Sequence, residues 1–226
     1  MTQPPGNEGG RQAASDLLRG PLAPRTVFDE AIGLVNSGDL AGAELRCRGA
    51  LEAHPRDVNM LALLGVVLIK LGRSAEAETL LRDAIALAPS FAKPHEDLGR
   101  LLSQQGRAQE ALEHLERAVH LDPQLDDAWF TLGKVLTTLD RGAEADQAFE
   151  RSFALSPERR LMALAAEHQK EGRLKEAEQL YRRILRQNPA NVDALRLFGL
   201  ITLHDGREAE AESLLQKAIA LAPDFL

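Results

Sequence analysis

Six histidines, one cysteine and many carboxylates are the side chains of this 226-residue chain that could carry chemistry. A metal site or an acid–base pair needs several of them in one place, often three or four residues apart on a helix. The histidines are scattered at His54, His95, His114, His120, His168 and His204, with no pair at that spacing. Cys47 is the only thiol, which excludes an intrachain disulfide and a cysteine-rich zinc site. A buried, inert thiol is expected there. Neither phosphate-loop pattern, G-x-x-x-x-G-K-S/T or G-x-G-x-x-G, occurs. Carboxylates such as Glu76, Glu78, Glu110 and Glu113 are expected on outward helical faces, as solvated charge. The chain therefore reads as a non-enzyme, with no catalytic residue, no cofactor and no metal.

The totals point the same way. A diffuse net charge of -7 argues against binding a phosphate backbone, which needs a basic face, so no nucleic acid is expected as a partner. The longest apolar run, MLALLGVVLI (60–69), is about half of what a bilayer span needs, so no membrane partner is expected either. The first residues, MTQPPGNEGGRQAASDLLRG, lack the apolar centre of a signal peptide. A cytoplasmic protein follows, with residues 1–23 as a disordered leader and a short helix over 13–19.

With no chemistry to position, the order of the chain lies in its spacing. Prolines stand at 55, 89, 123, 157, 189 and 223, at intervals of 34, 34, 34, 32 and 34. Taking each proline as position 32 gives six units: 24–57, 58–91, 92–125, 126–159, 158–191 and 192–225. Position 20 is alanine in all six (Ala43, Ala77, Ala111, Ala145, Ala177, Ala211). Position 8 is Ala31, Gly65, Gly99, Gly133, Ala165 and Gly199, always small. Position 15 is glycine except for Asp140, which tolerates the same left-handed backbone. Large side chains fill most of position 24 (Leu81, Leu115, Phe149, Tyr181, Leu215) and of position 7 (Leu64, Leu98, Leu132, Leu164, Phe198).

Apolar residues at three- and four-residue spacing give two helices per unit. The glycine ends the first and the proline stops the second. Small residues at positions 8 and 20 let the two helices approach closely, and no period-two alternation calls for strands. At the 4/5 joint, SPERRLMAL (156–164) is two residues short, which predicts a change in stacking. His168 and Thr202 replace the bulky residue of position 11, predicting looser packing in units five and six.

This pattern resembles the tetratricopeptide repeat, and WFTLGKVLTTLDRGAEADQAFERSFALSP (129–157) matches it almost term by term. The resemblance covers 24–225 and implies an all-α, right-handed superhelical solenoid of antiparallel helix pairs, with first helices lining a concave groove. It also implies that positions 2, 5, 9, 12 and 13 form the binding face. Those positions give an apolar end with Phe28, Ile32, Val66 and Ile69, and a polar centre with Lys93, Arg100, Gln104, Phe130 and Lys134. Arg196 lies further on. The expected partner is a protein or peptide with apolar anchors and an acidic group held between Arg100 and Lys134. Two alternatives stand against this. In one, Glu96 and Asp127 neutralise the cations; in the other, Leu17 and Leu18 of the leader cover the apolar end.

No unit carries the Lys and Asn of the family's chaperone-tail clamp at positions 5 and 9. Residues 165–223 are also similar to arrays that precede bacterial sulfotransferase and glycosyltransferase domains, which makes a non-catalytic front part of such an enzyme the second reading. Glu30 and Cys47 give the first unit a polar, cap-like character. The last helix, 208–221, presents Leu214, Leu215, Ala218 and Ile219 with nothing after it, so self-association or fraying is expected there.

Overall fold

The computed structural model describes residues 25–222, and the expected leader lies outside them. Among the described residues there are twelve helices and no strand. First and second helices alternate. The first four pairs are α1 (Arg25–Asn36) with α2 (Leu40–Ala53), α3 (Val58–Lys70) with α4 (Ser74–Leu87), α5 (Ala92–Gln104) with α6 (Ala108–Leu121), and α7 (Asp126–Thr138) with α8 (Gly142–Leu155). The last two are α9 (Pro157–Lys170) with α10 (Leu174–Gln187), and α11 (Val192–His204) with α12 (Glu208–Leu221).

Local chemistry explains where the helices begin and end. Asp57 caps α3 by accepting from the amides of Asn59 and Met60, and Asn191 caps α11 by accepting from Ala194. Each first helix is left through a residue of positive φ, a glycine at five turns and Asp140 (φ 58°) at the sixth. The short joint has a simple form. Elsewhere a proline stands three residues before the next first helix, as Pro89 does before Ala92, whereas α9 starts on Pro157 itself. Proline suits that first turn, because its missing N–H would have no helical partner there.

The chain divides into two compact units, the first ending at Phe149 and the second starting at Glu150. In the first unit the core runs through α1 to α8, with Leu64, Leu98, Leu115 and Leu132 at its centre. Here the role of the small position 8 becomes specific. A Cβ on Gly65 would stand 2.9 Å from Leu81 Cγ, and one on Gly99 2.6 Å from Leu115 Cγ. On Gly133 it would meet the Phe149 ring at 2.7 Å. The glycine therefore makes room for the side chain at position 24 of the partner helix. Where position 8 is Ala31, the residue opposite is the small, fully buried Cys47.

In the second unit Tyr181, Ile184 and Phe198 form the centre. Leu164 departs from its expected packing role, being 39% exposed while Leu98 is fully buried. Leu161 and Met162 pack against this core from α9. Thr202 is fully buried and settles its hydroxyl on the Gly199 carbonyl at 2.8 Å.

Candidate partner-binding face

In the first unit α1 touches α3, α3 touches α5 and α5 touches α7, so the first helices form one continuous face. Phe28 and Ile32 on α1, with Val66 and Ile69 on α3, lie half-buried on these adjoining helices. Phe28 and Ile69 also pack against the core, which fixes them as a firm apolar surface. Phe130 on α7 is half-buried and meets Phe149 edge-on, with ring centres 5.6 Å apart. Lys93, Gln104 and Lys134 are exposed. Arg196 is placed separately on α11, half-buried and 3.8 Å from Asp193.

The polar centre differs in detail from its expected arrangement. Arg100 donates to Asp97 Oδ1 at 2.9 Å, and Lys93 sits 2.9 Å from Glu96 Oε1 and 3.7 Å from Asp97 Oδ1. Four charges at i, i+3, i+4 and i+7 of α5 thus lie on one stripe. Glu96 and Asp97 are 3% and 1% exposed, and burial pushes both carboxyls above their ordinary values. Asp97 was not among the residues expected to bind, since position 6 is not one of positions 2, 5, 9, 12 and 13. Its spacing from Arg100 was the available signal.

Two other groupings emerge. His95 and His114 face each other across α5 and α6, Nδ1 to Nδ1 at 3.1 Å, and His95 Nε2 lies 3.3 Å from the Pro89 carbonyl. Trp129, which can only donate, makes the equivalent contact to Pro123 at 3.0 Å. By the same geometry His95 Nε2 carries a hydrogen, its Nδ1 accepts, and His114 Nδ1–H donates. The ring centres are 5.4 Å apart and the ring planes are tilted by 38°. The two rings share one hydrogen bond, and no group of three or more His, Cys, Asp or Glu residues that could hold a metal ion occurs among the described residues. Burial lowers both imidazoles.

The second grouping runs along the second helices, where carboxylates expected as solvated charge form ion-pair squares. Arg107 reaches back to Glu78 and down to Glu110, both at 2.7 Å, while Arg82 meets the same two at 2.9 and 3.5 Å. Arg73, Arg48, Glu44 and Glu76 repeat this square one unit earlier, and Arg207, Arg182, Glu178 and Glu210 repeat it in the second unit. Only Glu113 of the four carboxylates first considered stays outside a square.

At the first pair, Glu30 is exposed and bonded to Arg46, as a cap would have it. Against that expectation, an apolar groove lies between α1 and α2, lined by Val27, Leu34 and Leu45, with Leu45 76% exposed. Cys47 is buried, and burial pushes its thiol up to about 11. On α12, Ile219 and Leu221 are 42% and 50% exposed, while Leu214 and Leu215 are half-buried and Ala218 is buried. None of the helices among the described residues is long and apolar enough to cross a membrane.

Paired helices of 12–14 residues, left-handed turns and a recurring contact between the glycine of position 8 and the large side chain of position 24 decide the family once matched to known repeats. Models of the tetratricopeptide repeat match residues 28–90 and 99–139, and that of the cytochrome c-type biogenesis protein H TPR domain matches 123–224. The chain is built of tetratricopeptide repeats. Solved structures agree on the fold. A thermophilic TPR protein of Thermus thermophilus is similar at 23% identity, over 79% of this chain and 98% of that one, with a TM-score of 0.67. PilF of Pseudomonas aeruginosa is similar at 24% identity over 93% and 95%, with a TM-score of 0.60. The Cut9–Hcn1 assembly of APC/C is similar at 16% identity over 97% of this chain and 44% of that one, with a TM-score of 0.65. No curated protein matches the sequence. The repeat model over 123–224 belongs to cytochrome c-type biogenesis, and the matched models bring no transferase domain to the repeats at 165–223.

Proposed function

We propose that this tetratricopeptide-repeat protein is a non-enzymatic scaffold that holds a partner peptide or protein on the first-helix face of its first unit. One observation carries the reading. Phe28, Ile32, Val66 and Ile69 form a half-buried apolar surface on two touching helices, backed by a packed core. A surface of this kind gives extended or helical peptides a place to bury hydrophobic anchors without reorganising the scaffold. The centre of the face is polar. A partner carboxylate would meet the exposed Lys134 there, and would meet Arg100 only in competition with the buried Asp97.

Comparative capture tests the assignment. A Val66→Glu, Ile69→Glu protein should lose the partners held by the unaltered protein, whereas Thr79→Glu, on the exposed side of a second helix, should retain them. Equal capture by all three would place binding elsewhere.

A further inference from the structure

We infer that the carboxylate pair Glu96–Asp97 on α5 receives an arginine side chain of the partner. The inference rests on the peptide-binding reading above and adds the chemistry of the ligand. Both carboxylates are nearly fully buried, yet each has only one oxygen engaged. Glu96 Oε2 and Asp97 Oδ2 have no hydrogen-bond partner. Buried carboxylate oxygens left unpaired are rare, and each calls for an explanation. The repeat does not require this pair. Positions 5 and 6 are Ala62 and Leu63 in the unit before and Phe130 and Thr131 in the unit after, so no other part of the first unit places two acids in sequence there.

The cations already present do not complete the site. Lys93 is a point charge on a flexible stem, half exposed, 2.9 Å from Glu96 Oε1 and 3.7 Å from Asp97 Oδ1, so it reaches one oxygen of each carboxylate and leaves the other two unpaired. Arg100 uses one Nη on Asp97, and its buried Nε finds no partner. A guanidinium from outside differs from lysine in shape. Its planar fork presents parallel N–H groups that can bond oxygens of two neighbouring carboxylates together. Displacing the Lys93 ammonium, whose side chain is 48% exposed, opens the site without disturbing the helix. Burial and the nearby Asp97 and Asp127 all disfavour the negative charge of Glu96, and an incoming cation relieves this.

A peptide array provides the test. Ten-residue peptides with randomised apolar and serine flanks carry arginine, lysine, citrulline or glutamate at a fixed central place, citrulline being the uncharged isostere of arginine. The unaltered protein should be retained by the arginine set roughly tenfold more than by the citrulline set, as a lost charge-assisted bidentate contact predicts. Glu96→Gln and Asp97→Asn should each erase that preference while circular dichroism confirms their fold, and Lys93→Met should enlarge it. Equal retention by the arginine and citrulline sets overturns the inference. So does a preference for glutamate that Lys134→Gln removes, since the partner's charge would then be negative. In both cases, loss of binding in Val66→Glu, Ile69→Glu leaves the peptide-binding face standing. Retention by no set at all overturns both readings.

Discussion

Gly99 and Leu115 occupy one volume between them: a Cβ on Gly99 would stand 2.6 Å from Leu115 Cγ. The same sharing of space joins Gly65 to Leu81 and Gly199 to Leu215. It couples positions on two different helices, so neither residue can be understood alone.

Gly99→Ala should therefore destabilise the protein by about 1–3 kcal/mol, the ordinary cost of overpacking a core. Adding Leu115→Cys recreates the natural Ala31–Cys47 combination. The double variant should lose less than the sum of the two single losses, a coupling read from urea unfolding followed by circular dichroism. Strict additivity would mean that the helices simply move apart.

The ion-pair squares predict a salt- and acid-sensitive contribution. In Arg107→Gln, Glu78 and Glu110 lose the guanidinium that holds both carboxyls below their ordinary range. The melting temperature should fall at low salt, and the deficit should shrink in 1 M salt, where the Debye length is about 3 Å. A carboxylate with a lowered folded pKa stabilises above its unfolded value of about 4.3 and loses that contribution as pH falls through the folded value. The gap between parent and variant should thus be steady from about pH 7 to pH 5 and close below about pH 4. A deficit indifferent to salt and pH would assign the effect to packing of the arginine stem.

The His95–His114 pair gives the opposite end of the pH scale. Burial lowers both imidazoles, so the unfolded chain takes up protons first as pH drops below about 6.5, and stability falls with it. Arg117 near His95 and Arg82 near His114 add to the effect, while Glu110 and Glu113 oppose it at His114. His114→Gln removes one titrating ring from the pair. Its melting temperature should change less between pH 7.5 and pH 5 than that of the parent, whose other histidines serve as the internal control. Parallel pH profiles would show that the pair is accessible to protons in the fold.

The repeat was legible because position 20 demands alanine, position 15 a left-handed residue and position 32 a helix stop, and each demand acts on one residue at a time. Chemistry between units or between helices was not legible. Arg107 and Glu78 are 29 residues apart and His95 and His114 are 19 apart, distances that no helical period brings together. Within α5, spacing by units sets Arg100 against Asp127 of the neighbouring unit, yet the carboxylate it bonds is Asp97 of its own helix. Leu164 shows the remaining limit. Its type and position resemble Leu98, but α9 starts on Pro157, and Leu161 and Met162 pack against its core.

The squares make the second repeat an interchangeable part. Arg73 meets Glu44 as Arg107 meets Glu78. A tandem copy of residues 58–91 would therefore offer its own Arg73 to the existing Glu78, and its own Glu78 to Arg107, leaving no charge without a counterpart. The fourth repeat lacks this match, since Asp146 and Glu150 stand where Glu78 and Arg82 would be. A copy of the second repeat can thus be inserted with its joints already satisfied, and it would widen the first-helix face without redesigning the seam between the second helices.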